Sequence, residues 1–77
     1  MPSSIINLYE AKRDCALRVT SVPDIGLLES LGLRVGAKVT VTSRYALGGP
    51  VLLRVENAFS VAVGKDIATR IFARKSD

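Results

Sequence analysis

Few residues in this chain carry side chains that do chemistry, and their spacing narrows the choice further. The 77 residues include one cysteine, Cys15, and no histidine. Without imidazole the chain lacks the commonest general base and the usual ligand of zinc and its neighbours. A lone thiol excludes an internal disulfide. With seven scattered Asp and Glu residues it makes neither a converging metal site nor a nucleophile–base pair. Cys15 shares parity with Leu17 in a strand pattern and reads as a small buried hydrophobe. No catalytic, metal-binding or cofactor-binding residue is assigned, and no cofactor is expected.

The stretch that invites a ligand is Gly48-Gly49-Pro50. A P-loop needs GxxxxGK followed by Ser or Thr, and a dinucleotide fingerprint needs GxGxxG opening a helix. Neither is present, and the residues after Pro50 alternate as a strand does. The loop offers contact instead. Tyr45 and Leu47 stand beside two glycines that loosen the backbone, and Arg44 and Arg54 could frame them with charge. Arg44, Tyr45, Leu47, Gly48, Gly49 and Arg54 are therefore the candidate partner-binding residues. Arg18, Lys38 and Arg54, all at outward strand positions, could instead form a basic stripe for nucleic acid. Small barrels that bind single strands add aromatic stacking platforms. Only Tyr9, Tyr45, Phe59 and Phe72 are available here, and Phe59 has core parity. Nucleic-acid binding is the alternative reading; protein contact is the leading one.

These residues need elements to hold them. Asp24–Val41 reads as a short helix over about residues 24–31, a glycine stop, a tight turn and a strand. Asp24 is the candidate N-cap, and Leu27, Leu28 and Leu31 form the apolar stripe. Gly32 sits where a helix ends on a positive φ, with Leu28 and Leu33 as the apolar pair of a Schellman end. Gly36 suits position i+2 of a type II turn. Strands are predicted from Asp14 to Val22, from Ala37 onward, from Val51 to Val55 and from Phe59 to Val63. Asn57-Ala58 is the reversal between the last two. A helical turn is predicted near 65–70 and a short strand at Ile71-Phe72, with Arg74–Asp77 a solvated tail. Residues 1–4 and 75–77 are expected to fray. This pattern predicts a mainly β fold: a small SH3-like or OB-like barrel of about five short strands with one short helix.

Length and composition agree. A chain of 77 residues is one domain, 1–77. At 5% aromatic content its core must be built from Val, Leu, Ile and Ala. No apolar run is long enough to span a bilayer, and the N-terminus has no secretory pattern, so a soluble cytoplasmic protein is expected. The net charge of +4 permits attraction to anionic surfaces without demonstrating it.

The order Leu31-Gly32-Leu33, Gly36, Val39, Val41, then Gly48-Gly49-Pro50 and Val55, then Val61-Ala62-Val63, Ala68 and Ile71 resembles the FeoA family, ferrous iron transport protein A, over about residues 8–74. The resemblance implies an SH3-like barrel. It also implies a small bacterial cytoplasmic accessory that contacts the membrane ferrous iron transporter FeoB and performs no catalysis. A similar module ends some iron-dependent repressors. Three departures stand out. Val35-Gly36 replaces a frequent Pro-Gly, Asp14 replaces a frequent glycine before the first strand, and Gly26-Leu27-Leu28 stands where basic residues are frequent.

Overall fold

The computed structural model describes residues 5–56 and 60–76. Its elements in chain order are β1 (Ile5–Asn7), β2 (Ala16–Ser21), α1 (Gly26–Ser30), β3 (Lys38–Arg44), β4 (Val51–Val55), β5 (Ser60–Val63), α2 (Lys65–Ala68) and β6 (Phe72–Lys75). The six strands form one antiparallel sheet in the order β1-β6-β2-β3-β4-β5. Leu17, Val19, Val39, Val41, Val51, Leu53, Val55, Val61, Val63 and Ala73 all point to one core. Every second residue of these strands is apolar because a pleated strand shows alternate side chains to opposite faces. Leu8, Leu28, Leu33, Ala68 and Ile71 close the core from the connections. This is the small mainly β arrangement that the alternation predicted, of the SH3-like kind that the resemblance implies.

Six strands replace the expected five because Ile5–Asn7 also pairs, with Ile6 opposite Ala73. Three residues are too few to show a period. The chain end departs from expectation for a related reason. Arg74 and Lys75 belong to β6, which lies between β1 and β2, and Ser76 N–H still donates to Ala16 O at 2.9 Å. Their charged side chains look like a solvated tail, but it is the backbone that the sheet uses. Residues 1–4, 57–59 and 77, including the Asn57-Ala58 reversal and Phe59, lie outside the described residues.

The helix is shorter than predicted. Ile25, not Asp24, is its N-cap, with φ −125° and no side-chain capping bond. Ile25 packs against the core, and that burial sets the start. Leu28 is buried and Leu31 half-buried, but Leu27 is exposed. Five residues make little more than one turn, too narrow to bury two adjacent positions about 100° apart. The stop is as predicted. Gly32 has φ +85°, Leu33 N–H donates to Leu28 O at 2.9 Å and Gly32 N–H to Glu29 O at 3.0 Å. Together these make the Schellman end. Gly36 has φ +94° and Ala37 N–H donates to Arg34 O at 3.0 Å, the type II turn. Asp14 has φ +64°, the conformation that glycine would supply cheaply there. Cys15 is half-buried rather than buried, because it stands one residue before β2 begins.

Two bulges bend the sheet. The register slips by one residue between Val19 and Ser21 on β2, and between Val41 and Ser43 on β3. The residue inserted each time is a threonine. Thr20 Oγ1 donates to Phe72 O and Thr42 Oγ1 to Leu52 O, each at 3.2 Å. A bulge interrupts the ladder, and the hydroxyl supplies a donor to the facing strand's carbonyl. Thr42→Val keeps the shape and β-branching but removes that donor beside a half-buried carbonyl. It is expected to lower stability by about 1 kcal/mol. An unchanged urea midpoint at unchanged m-value would show that water replaces the hydroxyl.

Candidate functional site

The candidate loop joins β3 to β4. Arg44 pairs with Val51, and Tyr45 N–H donates to Pro50 O at 3.1 Å, closing its base. At the tip Gly49 N–H donates to Ala46 O at 3.2 Å, and Leu47 and Gly48 both have positive φ, +61° and +77°. Positive φ at both central residues is the type I′ pattern, which follows the right-handed twist of the two strands. Gly48 meets it at no steric cost. Leu47 does not, since a leucine in the left-handed region costs roughly 1–2 kcal/mol. Gly49 is confined for another reason. A Cβ there would lie 2.8 Å from Tyr45 Cβ and 3.3 Å from Ala46 O.

The turn pushes Leu47 wholly into solvent, at 103% relative exposure, and leaves Tyr45 at 54%. An apolar side chain held out in a strained conformation gains nothing for folding. Such an outlier is a reason to look for a function.

The loop stands on a support that the sequence did not reveal. Two cations lie over the Tyr9 ring, with Lys65 Nζ 5.3 Å from its centroid and Arg44 Cζ 6.0 Å. The Arg44 guanidinium also donates through Nη2 to Ala11 O. The Lys65 stem passes beneath the tip, where Cδ would be 3.7 Å from a Cβ on Gly48. Arg44 therefore does not frame the loop from outside. It is half-buried, with its Nε wholly buried, and it ties the loop's base to the β1–β2 connection. Tyr9 and Lys65 are 56 residues apart in sequence, so no local pattern could have joined them.

Arg54 is not part of this group. It pairs with Thr40 and Ser60 on the exposed face of the sheet, three residues along β4 from the loop-proximal Val51. That is roughly 10 Å at the rise of a strand. The structure thus brings together Arg44, Tyr45, Leu47, Gly48 and Gly49, adds Tyr9 and Lys65, and leaves Arg54 elsewhere. A separate groove of about 600 Å³ lies between α1 and the β3 and β4 strands, lined in part by Glu29, Arg34, Val35, Lys38 and Glu56. No residue of the Tyr45–Pro50 loop lines it. Among the described residues no group of three or more Cys, Asp or Glu is placed to hold a metal ion, and no helix is long and apolar enough to cross a membrane.

Comparison with known proteins gives this geometry a context. A family model described as the FeoA domain matches residues 6–75. The chain is similar to a crystal structure of an iron uptake regulatory protein, FeoA, at 27% identity and a TM-score of 0.83, covering 95% of this chain and 99% of that one. It is similar to the solution structure of the FeoA protein from Chlorobium tepidum at 28% identity and a TM-score of 0.80, covering 94% of this chain and 71% of that one. A manganese-dependent transcriptional repressor shares the fold at 16% identity and a TM-score of 0.84, with this chain covering 44% of its length. No curated protein matches the chain.

Proposed function

Since the chain belongs to the FeoA family, whose match spans residues 6–75 and supports a role in ferrous iron uptake, we propose that it acts by docking onto the cytosolic side of the membrane ferrous transporter FeoB. It performs no catalysis of its own. The observation that carries the contact is Leu47, wholly exposed, strained and fixed at the tip of a loop with a rigid base. Energy in protein contacts concentrates in a few anchors, most often Trp, Tyr and Arg, and loops on rigid scaffolds often present them. Tyr45 supplies the aromatic beside Leu47, while Arg44, Tyr9 and Lys65 hold the loop in shape. The protein works as a single domain in the cytoplasm, where the transporter's soluble face is accessible to it.

The test is binding of the purified chain to membranes carrying the transporter, together with ferrous uptake in cells lacking the native gene. Tyr45→Ala and Leu47→Ala are each expected to weaken binding by at least ~1 kcal/mol, about five-fold, with the fold intact. The double variant should fail to restore uptake. Full rescue by the folded double variant would move the contact elsewhere on the barrel.

Leu47→Asn separates recognition from folding. It places the preferred Asn-Gly pair in a type I′ turn and gives up no buried area. It is expected to raise stability by about 0.5–1 kcal/mol while weakening binding as Leu47→Ala does. A drop in melting temperature would show that Leu47 is held by packing rather than displayed.

A further inference from the structure

The outer face of the sheet carries a row of cations that face one another across neighbouring strands. Arg18 on β2 stands directly opposite Arg74 on β6 and directly opposite Lys38 on β3. The three side chains therefore spring from facing positions on three neighbouring strands, whose backbones span roughly 10 Å at ordinary strand spacing. Like charges directly opposite each other destabilise a sheet. Arg18 Nη1 donates to Gly36 O at 2.8 Å, which places one guanidinium but offsets no charge. Glu56 stands at the far end of the row, where its N–H donates to Lys38 O.

Beside Arg74 the surface turns apolar. Ile5, opposite Arg74, is 60% exposed, and Phe72, two residues before it on β6, is 38% exposed. We propose that Arg74, Arg18 and Lys38, with Ile5 and Phe72, form a docking surface for the headgroups of an anionic phospholipid bilayer.

Three features select this occupant. The row crosses strands whose backbones are already paired on both sides, since β6, β2 and β3 are all interior to the sheet. An extended acidic peptide therefore finds no free ladder along it. Phe72 is the one aromatic among the five residues of the patch, whereas grooves for single-stranded nucleic acid stack successive bases on several. Clustered cations next to exposed apolar side chains suit an interface that is negative at its surface and apolar just beneath. The surface uses no residue of the Tyr45–Pro50 loop, so it stands or falls independently of the contact proposed above.

Co-sedimentation of the full chain with vesicles of phosphatidylcholine, with and without phosphatidylserine, is the test. Binding should require phosphatidylserine and weaken as salt is raised. Arg74→Glu is expected to lower the partition coefficient at least about five-fold. The same substitution should raise the melting temperature, because it turns a repulsive pair with Arg18 into an attractive one. Arg70→Glu makes the same change in net charge outside the row and should bind better than Arg74→Glu. The proposal is overturned if wild-type protein shows no preference for phosphatidylserine. Equal losses in the Arg70→Glu and Arg74→Glu variants overturn it too, since net charge alone would then suffice. Binding to a single-stranded oligonucleotide or to polyglutamate in place of vesicles would also overturn it.

Discussion

Leu53→Ala is expected to destabilise the protein by about 3 kcal/mol, within the 2–5 kcal/mol range of buried Leu→Ala changes. Leu53 is fully buried in β4, and its cross-strand partners Val41 and Val61 are buried with it. The cavity would be bordered by backbone already held in two ladders, so collapse around it is restricted. A small domain has a stability of only some 5–15 kcal/mol, so a loss of this size takes a large share of it. Urea unfolding should show a clear fall in midpoint. The neighbouring Leu52→Ala supplies the contrast. Leu52 points the other way and is half-buried, so its truncation should cost well under half as much. Equal costs for the two leucines would mean that the strand's facing has been misassigned.

Gly32→Ala should cost about 1–2 kcal/mol, the penalty for a Cβ at positive φ. The new methyl would also sit 3.3 Å from Val55 Cγ1, so the β4 side chain must give way slightly. Both bonds of the Schellman end depend on this conformation, and they hold Leu33 in the core. Gly26→Ala is the matched control. Gly26 opens α1, has no atom within 4 Å of the added Cβ, and has no positive φ. Alanine there should be neutral or stabilising by about 0.5–1 kcal/mol. Opposite signs at the two glycines would support the capping geometry, and a stabilising Gly32→Ala would refute it.

The candidate loop was legible only in part. The Gly-Gly-Pro run marked a reversal, and the flanking alternation marked the two strands it joins. That Leu47 rather than Gly49 takes a left-handed turn position could not be read from residue preference, which favours Asn, Asp or Gly there. Arg44 was expected to frame the loop because arginine is usually solvated. It instead turns inward, because Tyr9 and the Ala11 carbonyl, brought in from the β1–β2 connection, offer its guanidinium a ring face and an acceptor. Arg54 is near the loop in sequence, yet strand rise carries it away from the tip.

What the sequence determined by itself was everything governed by near neighbours. Alternation along Leu17–Val19, Val39–Val41, Val51–Val55 and Val61–Val63 settles which side chains turn inward, because one pleat decides each facing. Gly32 and Gly36 mark their turns because almost no other residue takes those dihedrals cheaply. Only the tertiary structure decided the partners. It threaded β6 between β1 and β2, recruited Ile5–Asn7 as a sixth strand, and placed Thr20 and Thr42 at bulges. The same fold set Arg18 between Arg74 and Lys38, and brought Arg44 and Lys65 to the Tyr9 ring. These pairings join residues up to 69 positions apart. They are selected by closing one core around all six strands, a condition no local window of the chain contains.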